Sequence, residues 1–586
     1  METDSSHTTS ATSFGDGIKT HHKEIPTLLR KFSFKERLAF WGLFWIFIIG
    51  ALGLARELHS NYSIQIPREG GSFTEGVVGR PAFINPVLAL SDTDKDLSLL
   101  VYSGLLRATP EGDFIPDLAE SFEADESGSS YSVVLKEGLT WHDGTPLTAN
   151  DIVFTINKIK DPLIKSPLRP TWEGVSVFAL DDRTLEFSLE QPYSLFIENL
   201  TTGIIPEHIW GVATTEDFIN NANNTDPIGS GPYYVEKIKR NNQGIAEYYV
   251  LQAFEDFALA GPFVEEIVIR FYSDEEELRK AFDGNDIDLI GGATAFWMKE
   301  KERDGENVLS FPLARIFAVF LNQSQAQVFT QPEIREVLNL ATDKDRIVRE
   351  LLAGYGTPLN GPLPPGALGF TPSESLFSKN RALEILEENG WTEGPDGFYE
   401  KEVDDQLERL VFSLSTANVP ELKRVAELLQ EDWGEIGIRA DIKIFEIGDL
   451  NQEVIRPRNY SALLFGEVTG RDPDPFAFWH SSQRLDPGLN IALYTNVTTD
   501  KLLEDARTIL DTEERAQKYE AFQEEVIAET PSIFLYSPEY LYVAPEKINN
   551  ITPFPLTISS ERFINVNEWF VETDTVWNFL NQNNND

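Results

Sequence analysis

Residues 131–156 read YSVVLKEGLTWHDGTPLTANDIVFTI, and the pattern divides into a strand, a tight turn and a capped helix. Tyr131, Val133 and Leu135 alternate with Ser132, Val134 and Lys136, a period of two that puts long apolar groups on one face. Asp143-Gly144 supplies a turn whose second residue tolerates positive φ. Thr148 and Asp151 stand at capping-box spacing, with Asp in place of the usual Glu, and Ile152, Ile156 and Ile159 then fall on one helical stripe. Read from the physics alone this is a β-turn-α unit, with Trp141 expected in a core.

Outward from that unit, the chain has 586 residues, 41% of them hydrophobic, enough for several cores. Its 95 acidic against 49 basic residues give a formal net charge of −46, which disfavours nucleic acid, because phosphate binding needs clustered Lys and Arg. The absence of cysteine excludes disulfides, thiolate metal sites, cysteine nucleophiles and a lipid-carrying cysteine. Seven histidines, none in H-x-x-x-H spacing, leave no expected metal site, and no cofactor is expected. The acids of Asp283–Asp288 lack the spacing and closing Glu of an EF-hand loop, and the glycines of Pro227–Tyr234 are not followed by G-K-[ST].

Residues 1–37 form a polar, then basic, tail expected on the cytoplasmic side. Residues 38–55, LAFWGLFWIFIIGALGLA, are uncharged and just long enough to span a bilayer at roughly 1.5 Å per residue. A cleavable signal peptide is the rival reading, with Gly53 and Ala55 at small-x-small spacing. Residues 56–72 read as a linker and 576–586 as a frayed tail.

The 131–156 stretch also carries L-x-x-G-x-x-W-H-D-G-x-P-x-T-A-x-D-(I/V)-x-F-(S/T), and in this it resembles the signature of family 5 extracellular solute-binding proteins, the peptide- and nickel-type receptors of ABC importers. Further patterns follow in the family's order. Asn85, Pro86, Asp96, Tyr102, Gly104 and Leu105 match "N-P … D … Y-x-G-L", and Pro116 to Ser121 match "P-x-L-A-E-S". Gly229 to Tyr233 resemble "G-T-G-P-Y", and Arg335 to Gly354 match "R-x-x-L-x-x-A-x-D-K/R-x-x-I-V-x-x-L-L-x-G". The resemblance covers about residues 73–545. It implies an α/β, two-lobed periplasmic-binding-protein-like fold (type II, with an extra subdomain), with mixed sheets, a hinge of two crossings and, here, an N-terminal transmembrane helix. Lobe 1 is expected over 73–314, with a subdomain at about 109–200, lobe 2 over 315–530, and a return to lobe 1 over 531–575.

The resemblance further implies an extracytoplasmic, membrane-anchored receptor that encloses a peptide between its lobes and delivers it to permease subunits, itself a monomer. The same scaffold accommodates metal chelates and oligosaccharides, and a peptide-holding chaperone or adhesin stays open as an alternative. A hydrolase is disfavoured, since G-x-S-x-G and H-E-x-x-H are absent. In peptide-binding members a carboxylate of a D-x-x-D-P segment pairs with the ligand's amino terminus. Aligning Asp474-Pro475 with its end puts Arg471 at the amine-binding position, so Asp472 becomes the substitute. The expected ligand-binding set is Asp472, Arg471, Asp474, Trp479, Asn490, Tyr494, Asn322 and Tyr102.

Overall fold

One strand, Ser532–Val543, belongs to both lobes. Its first half is fully buried and pairs antiparallel with Arg315–Leu321, Ala318 opposite Phe534. Its second half pairs with Val308–Pro312 and Leu289–Gly291, Phe311 opposite Tyr540. The chain therefore crosses between lobes twice, near Leu313–Ala314 and near Ser537–Pro538. Both crossings are bonded: Leu313 N–H donates to Pro538 O at 3.0 Å and Ser537 Oγ to Leu313 O at 2.8 Å. The return expected at 531 thus falls inside this strand instead, because Ser532 to Tyr536 still complete the lobe 2 sheet. The computed structural model describes residues 33–125, 127–372, 376–403, 406–470 and 473–577.

The twelve-stranded sheet is mixed, and its pairing follows the apolar pattern. On the lobe 1 side Tyr233–Arg240, Ala246–Ala253 and Glu266–Tyr272 form an antiparallel meander, and Ser72–Val78 joins the last in parallel. On the lobe 2 side Arg315–Leu321 pairs with Ala462–Val468, followed by Val411–Ala417 and Arg439–Phe445, which run parallel as strands joined through the helix Pro420–Gly434 must. The near-continuous burial of Arg315–Leu321 suits a strand covered on both faces. A separate four-stranded sheet, Ala119–Ala124, Ser130–Leu135, Thr184–Leu189 and Val175–Ala179, carries the helix Ala149–Lys160. Two large cores result, one holding Trp141, Trp172, Trp210 and Trp569, the other Trp391, Trp433 and Trp479.

In the opening stretch Tyr131, Val133 and Leu135 are buried, as the alternation predicts, and Trp141 is 0% exposed. Asp151 caps two helices: one oxygen accepts from Thr148 N–H at 2.9 Å, the other from Glu207 N–H at 2.9 Å. His142 accepts from Gly229 N–H at Nδ1 (3.2 Å) and donates from Nε2 to Gly231 O (3.0 Å), so the W-H-D-G turn and the G-S-G-P-Y turn are cross-linked.

A smaller unit consists of the helix Phe34–Tyr62 and the paired strands Ser63–Arg68 and Glu572–Trp577. The helix contains a 21-residue span, Phe34–Leu54, with mean hydropathy 1.8 and no buried residue. Residues 56–72, expected as a coil linker, instead continue the helix to Tyr62 and then enter a strand.

Candidate functional site

Between the lobes lies a cavity of about 690 Å³, which shares part of its wall with a side chamber of about 320 Å³. Lobe 1 contributes the loop Pro110–Phe114, which joins the short strands Leu106–Ala108 and Phe114–Pro116, and the segment around Ser194–Glu198. Lobe 2 contributes Pro365–Leu368, Gly470 and the first turn of the helix Thr512–Glu529, with Arg515. Ala314, at the first crossing, closes the hinge end. Phe114, Glu198, Gly470 and Thr557 belong to both spaces and form the neck between them.

The lobes also meet at the rim. Ser194 N–H donates to Arg507 O at 3.0 Å. The Arg507 guanidinium donates twice to Asp474 Oδ2, at 3.0 and 2.8 Å, and lies over the rings of Phe476 (4.2 Å) and, across the cleft, Tyr193 (5.4 Å). Burial, reinforced by the Asp474 charge, pushes the Tyr193 hydroxyl above its usual range. This clasp holds lobe 1 against lobe 2 through a cation between two aromatic faces.

Walls of this kind are largely apolar with a few polar groups, the composition of small-ligand sites. Among the described residues, the charged ones on the main cavity are Glu111, Asp113, Glu198 and Arg515, an acidic excess. Ser194 Oγ, Thr557 Oγ1 and, in the side chamber, Asp117 Oδ1 are buried without a hydrogen-bond partner among the described residues. Buried polar atoms are normally satisfied, so atoms of this kind on a cavity wall mark where a ligand's donors and acceptors belong. Behind the wall, three residues before Gly470, Glu467 is buried with both oxygens unpartnered, and burial pushes its carboxyl up to about 8.

Most of the sequence-expected site residues lie elsewhere. Asn490 is 0% exposed; its amide donates to the carbonyls of Trp479, His480 and Tyr494 and its oxygen accepts from Tyr494 N–H, so its bonds are spent on the loop. Trp479 packs on Tyr494, Phe522 and Phe534 inside lobe 2. Asn322 is likewise internal, donating to Arg458 O and accepting from Ser324 and Gln325 N–H. Tyr102 reaches the side chamber, but its hydroxyl donates to Ile84 O at 3.3 Å. Asp474 holds Arg507 at the rim. Asn490, Trp479, Asn322, Tyr102 and Tyr494, whose hydroxyl meets Thr499 Oγ1 at 3.3 Å, are corrected to structural roles, because burial has already supplied their partners, whereas Asp474 keeps Oδ1 buried without a partner among the described residues. Arg471 and Asp472 lie outside the described residues; Gly470, just before them, lines both spaces. The loops at 110–114, 194–198 and 365–368 carried no chemical motif; only turn residues such as Glu111-Gly112-Asp113 and Pro364-Pro365-Gly366 marked them.

Two lobes on a shared strand, closed over a cavity with unsatisfied polar walls, define a solute receptor as a class. The chain belongs to the bacterial extracellular solute-binding proteins, family 5, whose "Middle" model matches residues 113–486. The chain is similar to the oligopeptide-binding protein AppA of Bacillus subtilis strain 168, 27% identical over 517 residues, which are 86% of this chain and 92% of that protein. The solved structure of AppA in complex with a nonapeptide superposes with a TM-score of 0.64, at 26% identity, covering 86% of this chain and all of the other. NikZ from Campylobacter jejuni, solved in complex with Ni(L-His), gives a TM-score of 0.66 at 26% identity, with 86% and 100% covered.

Proposed function

We propose that this chain is the membrane-anchored peptide receptor of an ABC importer, enclosing its ligand by hinge closure and releasing it to permease subunits chemically unchanged. The interlobe cavity carries the reading. It is bounded by both lobes and by the hinge, it presents unsatisfied donors and acceptors, and a relative of the same fold is solved with a nonapeptide. Ligand bridging two lobes biases an open–closed equilibrium by its differential contacts with the two states. Acidic walls favour a cationic or amino-terminal group.

The exposed apolar helix Phe34–Leu54 supports an uncleaved anchor, with residues 1–37 cytoplasmic and the lobes outside the membrane. The chain is then expected in the membrane fraction with its first 55 residues retained; a soluble form starting at Arg56 would refute the anchor.

Mass spectrometry of whatever copurifies with the full chain in mild detergent tests the ligand class. Short peptides are expected; a nickel chelate or a sugar would replace the peptide reading. Asp472 is proposed as the carboxylate for the peptide's amino group. Asp472→Ala is expected to weaken binding by about 1.5–3 kcal/mol, the cost of losing a charge-assisted bond. An unchanged titration would remove it from the site.

A further inference from the structure

Resting on the peptide reading above, we propose that the side chamber is a specificity pocket for one long cationic side chain, so that the ligands are peptides carrying lysine or arginine. At about 320 Å³ the chamber is too small for a peptide and suits a single side chain, whose backbone would lie in the main cavity across the neck at Phe114, Glu198, Gly470 and Thr557. Its walls are aliphatic, with Leu99, Leu106, Leu168 and Ile558 able to cover a methylene stem. Long cationic side chains combine such a stem with a charged head.

The head group is assigned by Asp117. This carboxylate is 1% exposed and forms part of the chamber wall. Its Oδ2 accepts from Arg107 Nε at 3.0 Å and Nη2 at 2.8 Å, and Arg107 Nη1 is committed to Ile564 O at 3.0 Å. Oδ1 has no partner among the described residues. The nearby ammonium of Lys136 is committed to Ala258 O at 2.9 Å. An oxygen of a buried carboxylate accepts and cannot donate while ionised, so the group it awaits is a donor. Thr557 Oγ1, at the neck, is a second unpartnered atom that can accept. Glu198 and Glu561 stand on the same walls, and the buried carboxylate of Asp117 bonds a cationic donor more strongly than a neutral one.

Isothermal titration of the full chain in detergent with Ala-Xaa-Ala tripeptides tests this, Xaa being lysine, arginine, norleucine or glutamate. Norleucine keeps the stem and removes the charge. Lysine and arginine peptides are expected to bind at least tenfold more tightly than norleucine, with glutamate weakest. Asp117→Asn should reduce the lysine-to-norleucine ratio below threefold. If that variant fails to fold, as circular dichroism would show, Glu198→Gln serves, with a smaller fall in the same ratio. Equal affinity for lysine and norleucine peptides overturns the assignment and leaves the peptide receptor standing. No binding by any tripeptide overturns both.

Discussion

At the residue scale the buried charges divide by whether they found a partner. Glu467 did not: both oxygens lie in the lobe 2 interior, and its carboxyl is raised to about 8 by desolvation. In the unfolded chain the same group titrates near 4.5. Between those values the native state holds a proton that the unfolded state has released. Stability from this group is therefore full below about 4.5 and falls as pH rises, by roughly 1.4 kcal/mol per unit, until about 8. Glu467→Gln should flatten this dependence, its urea midpoint exceeding wild type at pH 8.5 and converging with it at pH 5. Parallel pH profiles for the two proteins would show that Glu467 is ionised when buried. His142 is the opposite case. Burial lowers it to about 4, and its neutral ring is fixed by an N–H at Nδ1 and a carbonyl at Nε2.

At the scale of elements, distant segments are tied by side chains that look ordinary in sequence. Arg562, 2% exposed, donates to Glu75 on the strand Ser72–Val78 (3.0 and 2.6 Å) and to Asp96 on the helix Asp92–Val101 (2.8 Å twice), while Tyr542 donates to Glu75 at 2.6 Å. The C-terminal segment, the first strand and the first helix of lobe 1 are joined at this one guanidinium. Arg562→Met should destabilise the two-lobed unit by about 3–5 kcal/mol, because it leaves two buried carboxylates facing each other without a cation. Chemical denaturation reads this directly, and a loss below 1 kcal/mol would mean that the carboxylates accept protons instead. The helix Pro332–Ala341 starts with Pro332 at its first position and Gln331 as its cap, the preceding Gln327–Thr330 forming a short turn of helix.

For the whole molecule, the quantity of interest is the balance between open and closed lobes. The hinge is two bonded crossings within one sheet, and the rim contact is Arg507 between Phe476 and Tyr193. Removing a cation held between rings costs about 1 kcal/mol. Arg507→Ala is thus expected to enlarge the unliganded radius of gyration in small-angle scattering and to speed ligand release about fivefold. A variant that scatters as wild type and releases ligand at the wild-type rate would place the closing energy elsewhere.

What the sequence determined by itself was the set of local units and their order. The 131–156 stretch, the periodic helices and the apolar strand Arg315–Leu321 all follow from patterns of two and 3.6, and the family patterns gave the two-lobed class. What those residues do is legible only in the fold: Asp96 meets Arg562, Asn85 donates to Asn224, and Gly229 and Gly231 lie so close to Val101 and Tyr102 that a Cβ would come within 2.0 and 2.6 Å of backbone. Tertiary structure alone decided the site. Asn490, Trp479 and Asn322 carry ligand-binding chemistry, but burial committed that chemistry to the protein's own carbonyls and rings. Ser194, Thr557 and Asp117 look unremarkable in the chain, yet packing left one side-chain oxygen of each on the wall without a partner among the described residues. A residue's type fixes which bonds it can make; which of them remain for a ligand depends on neighbours hundreds of positions away.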